Sequence, residues 1–433
     1  YAEFGRQQVR EYNVTSKDML VAITEGGETS SVLGTVSECA ERGAKVFLLF
    51  NNPADVLCKY IERSRAAIED PRVTVLDLYC CPMAIAGSTR MQATTCEQMC
   101  AEYAQETWLK RYFKEELTAE EYASFGWQDY DPAEELNKVI DAIRDDANAE
   151  SIAQLLKTEE GIYKQHGLIT YFAEEYLFDI FTDTTERSPT FMLPPFKKFD
   201  DASMVPSWAF VKNPLRGTEE TWRHNMAREL RCLEWEPSDY KRMNAEEWIC
   251  QDPPKIRRSE LLRFLVGNED DPSRYERHPA VAITLNGEVE NGKNGPFKAA
   301  MEKFAPKFDK VYSIWIGGES NHENADFFVK AVTPKSPLNL MEKLLVKLVL
   351  NTMSSGTMVL YGRVSGNWMN YVQVSNKKLR DRGIRLVCEL CGVDYPTGCY
   401  ELHKTIEEES HKDYTGKEAP SMVQLTIERL GRK

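Results

Sequence analysis

The chain has 433 residues, of which 42% are hydrophobic and 28% charged, so it can bury a core and is too apolar for a disordered protein. Its length predicts two or three domains. The formal net charge of −14 argues against nucleic acid or an anionic membrane as the main partner, since both bind basic surfaces. The longest apolar runs, residues 19–23 and 46–50, are far shorter than the ~20 residues of a membrane span.

The eleven cysteines are an odd number and are scattered along the chain. This pattern favours free thiols in a reducing cytoplasm over a disulfide framework. Cys388 and Cys391 form one CxxC pair, but the spacing to Cys399 and His403 does not match a second zinc-ligand pair. We therefore predict a cytoplasmic protein that holds no metal and no cofactor.

Strand and helix patterns alternate over the first hundred residues. A short, wholly apolar run typical of a strand buried on both faces of a parallel sheet lies at residues 19–23, and further strands are predicted at 46–50 and 73–79. Helical repeats of apolar side chains lie between them, at residues 32–40 and 55–67. Thr29 or Ser30 can cap the first of these helices, and Gly43 can end it. This order predicts an open, doubly wound parallel sheet.

The pattern is helical and acidic from about residue 94 to 156, with a break at Asp131-Pro132, which indicates a linking helical layer. A second strand–helix series follows, with strand candidates at residues 168–172, 207–211, 281–285 and 311–316 and a helix starting near 176. Residues 216–277 match no clear pattern. A Gly- and Asn-rich loop is predicted at 286–295, a long helix at 338–360, and a strand or helix at Met422–Leu430.

The turn after the first predicted strand is a candidate ligand site. It lies at the carboxyl end of a parallel strand and before a helix, where open α/β sheets bind ligands. Gly26 and Gly27 let the backbone approach a ligand, and the helix start offers N–H groups that suit a phosphate. The candidate binding residues here are Thr24, Gly26, Gly27, Thr29 and Ser30. A tight turn with a capped helix is the alternative, and Glu25 and Glu28 count against a bare anion site.

Residues 87–95 form a second candidate, because one glycine, four hydroxyl residues and one arginine precede a helix. An arginine fork with hydroxyls can hold a phosphate or a sugar. The candidate residues are Ser88, Thr89 and Arg90. An ordinary helix N-terminus explains the same residues. A third candidate lies at residues 351–380, where small residues in a long apolar helix precede Arg363; close helix packing is its alternative.

These stretches, taken in order, resemble the sugar-isomerase-fold (SIS) phosphosugar-binding proteins, and specifically the group of N-acetylmuramic acid 6-phosphate etherases and glucokinase regulatory proteins. That group carries a strand with a Gly/Ser turn, then Gly-Ser-Ser-Arg-Met, then Leu-Asn-x-x-Ser-Thr-Gly, Gly-Lys, Asn-x-Met and Asn-x-Lys-Leu. The corresponding blocks here are Gly87-Ser88-Thr89-Arg90-Met91, Leu350-Asn351-Thr352-Met353-Ser354-Ser355-Gly356, Gly362-Arg363, Asn367-Trp368-Met369 and Asn376-Lys377-Lys378-Leu379. The resemblance covers about residues 1–105 and 336–400.

About 240 residues with their own strand–helix pattern separate the second and third blocks. In the etherases these blocks nearly adjoin, whereas the regulatory proteins carry a second SIS-like domain at this place. The resemblance therefore implies the regulatory-protein layout. Its parts are a first SIS domain at 1–105, a helical linker at 106–157, a second SIS-like domain at 158–335, and C-terminal helices at 336–433 that return to the first domain.

The inserted domain carries one more family trace. Its residues Asp183-Thr184-Thr185-Glu186-Arg187-Ser188-Pro189-Thr190-Phe191 are similar to the family's Asp-x-x-Glu-Cys-x-Pro-Thr-Phe/Tyr segment. In the etherases that Glu is an acid/base residue for elimination of lactate from the sugar ether, and in the regulatory protein its counterpart lies beside bound fructose phosphate. The resemblance thus implies a catalytic or ligand-contacting role for Glu186. A water-exposed Glu at a helix end is the alternative.

The chain also departs from the family. The phosphate loop Gly-x-Gly-Thr-Ser-Gly-Arg corresponds to residues 172–178, which hold two acids and no glycine, so the second domain is expected to have lost its phosphate site. The resemblance places Tyr1 partway through the first domain, whose own phosphate loop and second catalytic Glu would precede it. Gln92 and Arg363 stand at family Lys positions, and Arg keeps the charge with a different geometry.

We therefore expect an α/β fold with two SIS-type, doubly wound parallel-sheet domains, the first incomplete at its N-terminus, joined by a helical linker. The resemblance implies a phosphosugar-binding protein of the glucokinase-regulatory-protein type. Its ligand would be a sugar phosphate or amino-sugar phosphate, with Arg90 and Arg363 as anion partners and a protein partner by analogy. The alternatives are an etherase that releases D-lactate and a scaffold without a ligand, so the sequence leaves open whether the protein is an enzyme.

Overall fold

Two separate parallel sheets organise the chain, in a computed structural model that describes residues 1–289, 295–318, 325–375 and 377–431. The first sheet has three strands in the order β1-β2-β3, namely β1 (Met19–Ile23), β2 (Lys45–Phe50) and β3 (Val73–Asp77). All three strands lie within one or two residues of the predicted runs. Met19, Val21 and Ile23 are exposed because these alternate residues share one incompletely covered face of β1, so the expectation that this strand is buried on both faces is wrong.

Four helices accompany the first sheet: α1 (Ala2–Glu11), α2 (Ser30–Glu41), α3 (Ala54–Tyr60) and α4 (Glu62–Ile68). Arg42 ends α2, and Gly43 follows with a positive φ, as the sequence predicts. No pattern pointed to α1. It packs on α2 through Gly5 and Gly34, where a Cβ atom would lie within 2.0 Å of a backbone oxygen of the other helix.

The predicted linking layer consists of four helices: α5 (Gln92–Glu116), α6 (Ala119–Ser124), α7 (Pro132–Arg144) and α8 (Asp146–Lys164). The predicted break at Asp131-Pro132 is the start of α7. The Asp131 carboxylate accepts hydrogen bonds from the backbone N–H groups of Ala133 and Glu134, and Pro132 fills the first helical position.

The second sheet has five parallel strands in the order β5-β4-β6-β7-β8. They are β4 (Leu168–Phe172), β5 (Ala209–Lys212), β6 (Ala280–Gly287), β7 (Lys310–Gly317) and β8 (Phe327–Lys330). The expected α/β fold with parallel sheets is therefore confirmed. No sequence pattern indicated β8, which has four residues and is held by its pairing with β7. The predicted loop at 286–295 begins inside β6, and its residues 290–294 lie outside the described part of the chain.

Six helices surround the second sheet: α9 (Leu177–Phe191), α10 (Thr218–Met226), α11 (Pro237–Arg242), α12 (Glu247–Gln251), α13 (Arg258–Leu261) and α14 (Pro296–Phe304). Four of them, α10 to α13, make up the stretch at 216–277 that matched no sequence pattern. Part of it packs on the first sheet's side of the molecule, where Trp235 donates a hydrogen bond from Nε1 to Glu11 Oε1 at 2.7 Å and its ring meets Phe4.

The C-terminal part begins with the long helix α15 (Leu340–Leu360), which the sequence predicts. A small hairpin, β9 (Val364–Ser365) and β10 (Trp368–Met369), and the helices α16 (Lys377–Cys391), α17 (Tyr395–Ser410) and α18 (Met422–Leu430) follow. Asn376 of the family motif lies outside the described residues. No described helix is both long enough and apolar enough to cross a bilayer.

A buried ion network ties these layers together. Arg187 on α9 is 1% exposed and donates to Asp183 Oδ2 at 2.8 Å and to Glu159 Oε1 of α8 at 2.7 Å. Thr357 of α15 donates to the other Glu159 oxygen at 2.8 Å. Burial alone would raise the pKa of Asp183, but Arg90 and Arg187 hold it below its ordinary value. The charges are therefore compensated within the core.

We expect Arg187→Met to destabilise the fold by about 3–5 kcal/mol, because it leaves Asp183 and Glu159 buried without their shared cation. Arg385→Met is the matched control, since Arg385 also pairs with the residue four positions earlier, Asp381, but both side chains are exposed. Loss of this exposed ion pair should lower the free energy of unfolding by less than about 0.5 kcal/mol. Urea unfolding of both variants measures the difference, and equal losses would contradict the assigned role.

Candidate functional site

A cleft of about 730 Å³ opens at the carboxyl edge of the first sheet, the position where parallel sheets bind ligands. We call it the sheet-edge cleft. It is lined by Glu25, Gly26, Glu28, Thr29, Asn52, Arg63, Met83, Gly87, Thr89, Leu379 and Arg382. The structure thus brings the first two candidate stretches together, and it adds a face of α16 from the far end of the chain.

The turn between β1 and α2 is held by its own hydroxyls and by α4. The hydroxyls of Thr24 and Thr29 are hydrogen-bonded at 2.9 Å, and Ser64 donates to the Gly27 carbonyl at 2.7 Å. Gly27 has a φ of +67°, and a Cβ there would lie 2.6 Å from Leu57 Cδ1, so only glycine fits. Gly27 and the buried Thr24 therefore shape the turn, while Gly26 and Thr29 face the cleft.

Two other predicted hydroxyl residues do not line the sheet-edge cleft. Ser30 is the first residue of α2 and lines a different cavity, between α1, α2 and α4. Ser88 is buried, and among the described residues its hydroxyl has no hydrogen-bond partner. From the second candidate stretch, Gly87 and Thr89 reach the cleft.

Arg90 points away from the sheet-edge cleft and into the core. It is 3% exposed and donates from Nη2 to the Asp183 side chain and, at 3.1 Å, to the Asp183 carbonyl. Its Nε lies 3.4 Å from Glu186 Oε2. The structure thus places Arg90 as a link between the segment after β3 and α9, with Nη1 unpartnered among the described atoms.

Arg363 does not line the sheet-edge cleft and instead contacts the end of α9. Its Nη1 donates to the carbonyls of Phe191 at 2.6 Å and Met192 at 3.0 Å, and its guanidinium lies over the ring of Trp208. Met192 ends α9 in the left-handed conformation, so Arg363 satisfies the carbonyls of that helix terminus. Arg363 shares the neighbour Phe191 with Arg90, whose guanidinium lies 5.8 Å from that ring, but it does not line the sheet-edge cleft.

Two arginines that we did not single out from the sequence lie in the sheet-edge cleft. Arg63 donates from Nε to the Glu28 carbonyl at 2.8 Å. Arg382 lies beside Gly87, where a Cβ would come within 2.8 Å of the guanidinium carbon, and no described residue forms a hydrogen bond or ion pair with it. Burial lowers the pKa of Arg382, and nearby Glu28 opposes that shift. The sequence did carry one indication of this position: Arg382 follows the family-motif residue Leu379 by three, and residues three apart lie on the same face of a helix.

The N-terminus of α2 adds a second source of positive potential at the sheet-edge cleft. Thr29 is the N-cap residue, but its hydroxyl bonds Thr24 and makes no capping bond to the helix. Thr29 therefore leaves the first N–H groups of α2 without its hydroxyl as an acceptor. Such a helix start, next to a guanidinium that no described residue pairs with, is suited to an anionic group.

Glu186 lies in a second cleft, of about 560 Å³, between α5, α9 and α15, which we call the interhelix cleft. Burial raises the pKa of Glu186, although Arg90 opposes the shift. Lys347 on α15 lines the same cleft and donates to Thr95 Oγ1 at 2.8 Å and Asn351 Oδ1 at 3.1 Å. Burial lowers the pKa of Lys347 to about 8. The pKa values of a carboxylic acid and of an amine are thus both shifted in the direction that favours the uncharged form.

A buried carboxylate, Glu97 on α5, faces the end of β2 in the first sheet. Asn51 at the end of β2 donates from Nδ2 to Glu97 Oε1 at 2.8 Å. Burial raises the pKa of Glu97 to about 7, with Glu25 adding to the shift and Asn51 and Lys347 opposing it. The carboxyl edge of the sheet therefore carries a group that changes charge near neutral pH.

One group of three side chains among the described residues has metal-ligand geometry: Glu174, Glu175 and His224. It occupies the position of the missing phosphate loop after β4. The Arg216 Nε lies 2.8 Å from Glu174 Oε1, so a guanidinium already neutralises one of the acids. The CxxC pair Cys388 and Cys391 belongs to no such group in the described chain.

No family model matches the chain. An N-acetylmuramic acid 6-phosphate etherase of Nostoc punctiforme is 41% identical over 129 residues, 29% of this chain and 41% of that protein. One of Gloeobacter violaceus is 28% identical over 159 residues, 33% of this chain and 52% of that protein. The chain thus spans about half the length, or less, of these curated relatives. They confirm the etherase resemblance.

Among solved structures, the C-terminal domain of glucosamine-fructose-6-phosphate aminotransferase from Francisella tularensis superposes with a TM-score of 0.44 at 10% identity. The match covers 82% of this chain and 76% of that one.

Glu97 makes stability depend on pH. Its folded pKa of about 7 exceeds the unfolded value of about 4.3, so the folded state binds the extra proton between these values and stability falls as pH rises through them. We expect the Glu97→Gln substitution to raise the free energy of unfolding, relative to the unchanged protein, by about 2 kcal/mol more at pH 8 than at pH 4. Urea unfolding at both pH values measures this, with the exposed Glu115→Gln on α5 as control. A pH-independent difference would contradict it.

Proposed function

We propose that the chain, which is similar to N-acetylmuramic acid 6-phosphate etherases over part of its length, binds a sugar phosphate or amino-sugar phosphate in the sheet-edge cleft. The observation that carries this proposal is the convergence of three distant parts of the chain. Gly26 and Thr29, then Gly87 and Thr89, then Arg382 line one cleft at the carboxyl edge of a parallel sheet.

In this proposal the phosphate lies between Arg382 and the first turn of α2. The guanidinium supplies charge and hydrogen bonds, and the uncapped N–H groups and the Thr29 hydroxyl complete the anion's shell. The acidic side chains Glu25 and Glu28, which count against a bare anion site, suit the hydroxyls or the amine of the sugar. A phosphorylated sugar therefore fits the charges of the cleft better than inorganic phosphate does.

The binding role is regulatory, of the glucokinase-regulatory-protein type, and a protein partner would respond to the ligand. Two features support this finer assignment. The second parallel sheet lies between the family motifs at residues 87–91 and 350–356, and the chain offers only Glu186 as a motif-matched candidate for a catalytic acid. Arg90 connects the sheet-edge cleft to Asp183 and Glu186 on α9, so a ligand that moves residues 87–89 also acts on the second sheet's helices. The role of Glu186 is then to pair with Arg90 rather than to perform catalysis.

The main alternative is a lyase that eliminates D-lactate from N-acetylmuramic acid 6-phosphate. The raised pKa of Glu186 and the nearby Lys347 favour it, since an acid and a base are both needed for elimination. Incubation of the protein with N-acetylmuramic acid 6-phosphate and an assay for D-lactate decides between the binding role and the lyase. The Glu186→Gln variant is the control, since D-lactate release that depends on Glu186 should be lost in it. A scaffold without a ligand is the third possibility.

We expect Arg382→Ala to weaken binding of glucosamine 6-phosphate or N-acetylmuramic acid 6-phosphate at least tenfold, the scale of one lost charge-assisted contact. Arg380→Ala is the matched control, because Arg380 lies on the same helix, is exposed, and donates to the Val374 carbonyl. Isothermal titration calorimetry with both sugars measures the change. Equal affinities of the two variants would remove Arg382 from the site, and no heat with any hexose or hexosamine phosphate would favour the scaffold.

A further inference from the structure

The two acids that line the sheet-edge cleft have different surroundings. Arg63 lies beside Glu28, with its Nη2 3.8 Å from Glu28 Oε2, and also donates from Nε to the Glu28 carbonyl at 2.8 Å. Glu25 is half-buried in the same cleft, but no described residue forms a hydrogen bond or an ion pair with its side chain. Glu25 therefore presents a charged acceptor to the cleft without a cation from the described chain.

Asn52, in the turn after β2, gives the cleft a second acceptor close to Glu25. The backbone N–H of Asn51 donates to the Glu25 carbonyl at 3.0 Å, which holds the turns after β1 and β2 together. The Asn52 Nδ2 donates to the Gly26 carbonyl at 3.0 Å, and this bond fixes the orientation of the amide. Asn52 also lines the cleft, and among the described groups none donates to its Oδ1. An amide oxygen and a carboxylate are thus available on one side of the cleft.

The charged side chains of the cleft balance one another before a ligand binds. They are two carboxylates and two guanidiniums, namely Glu25, Glu28, Arg63 and Arg382. A phosphate group adds about two negative charges at neutral pH. A sugar phosphate without a cation would leave that excess uncompensated, in a chain whose net charge is already −14. A ligand that carries a protonated amine reduces the excess and can pair with Glu25.

We propose that Glu25 and Asn52 bind the protonated amine of an unacetylated amino-sugar phosphate, while Arg382 and the start of α2 bind its phosphate. This inference rests on the proposed sugar-phosphate site and narrows its ligand class. An ammonium group offers three N–H donors and no acceptor, which matches two neighbouring acceptors. A hydroxyl in the same place brings no positive charge, so its contact with the Glu25 carboxylate is weaker.

The same contacts disfavour N-acetylated sugars. An N-acetyl group is uncharged, offers one N–H donor, and adds a carbonyl oxygen that neither Glu25 nor the Asn52 Oδ1 can bind, since both are acceptors. N-acetylmuramic acid 6-phosphate carries a lactyl carboxylate as well, which Glu25 and Glu28 repel. The sheet-edge cleft therefore suits a free amine better than it suits the substrate of the etherases.

Calorimetry with glucosamine 6-phosphate and glucose 6-phosphate measures this preference, because the two ligands differ only in the amine or hydroxyl at one carbon. We expect the unchanged protein to bind glucosamine 6-phosphate about tenfold more tightly, the scale of one charge-assisted contact. Glu25→Gln keeps the size of the side chain and removes its charge, so the two affinities should become nearly equal. Glu62→Gln is the matched control, because Glu62 is exposed, precedes Arg63 and does not line the cleft. Its preference should equal that of the unchanged protein.

The preference should also disappear when the ligand's amine loses its proton, and this measurement needs no variant. At about pH 9.5, above the ~8 at which an α-amino group titrates, the unchanged protein should bind both sugars with similar affinity. The phosphate dianion and the guanidinium keep their charges at this pH, so binding of glucose 6-phosphate should persist as the internal reference.

Equal affinities for the two sugars at neutral pH, or a preference that survives Glu25→Gln, would overturn the inference. Tighter binding of N-acetylglucosamine 6-phosphate than of glucosamine 6-phosphate would overturn it as well. In each of these cases a sugar phosphate still binds, so the proposed function stands. Absence of heat with all three ligands would instead refute the proposed function, and the inference with it, so the two failures are distinguishable.

Discussion

One buried carboxylate, Asp183, determines how the parts of this protein fit together. It accepts hydrogen bonds from Arg90 of the segment after β3, from Arg187 on its own helix, and from Asn351 and Ser354 on α15. An isolated charge in a protein interior is strongly unfavourable, and Arg90 and Arg187 hold the pKa of Asp183 below its ordinary value despite burial. The same contacts fix the first sheet's loop, α9 and α15 relative to one another.

This constraint also determines which residues are left for a ligand. With its guanidinium bound to Asp183, Arg90 does not line the sheet-edge cleft, and Arg382 from α16 is the guanidinium that we propose for the anion. Glu186 lies on the other side of the Arg90 pair, in the interhelix cleft with Lys347. The two clefts are thus separated by a structural ion pair, which favours a division between ligand binding on one side and conformational response on the other.

The environment of the sheet-edge cleft is unusual for a phosphate site, because acids are as numerous as cations along its lining. Glu25 and Glu28 lie in the turn that also presents the α2 N-terminus. A positive helix end and two carboxylates within one turn select for a ligand with separate anionic and hydroxyl-rich or cationic parts. Amino-sugar phosphates have this distribution of charge, whereas a nucleotide polyphosphate would meet repulsion.

The sequence alone determined the class of fold and the order of most strands and long helices, because short apolar runs and helical repeats depend on local spacing. It did not predict α1, β8 or α10 to α13. It also predicted candidate ligand stretches at residues 24–30 and 87–95 from the carboxyl ends of parallel strands, and of these Gly26, Thr29, Gly87 and Thr89 line the sheet-edge cleft. It could not determine that Arg90 and Arg363 turn inward, or that Arg382 reaches the cleft. Those outcomes depend on which buried charges and carbonyls need a partner once residues hundreds of positions apart are packed together, and local pattern carries no record of that.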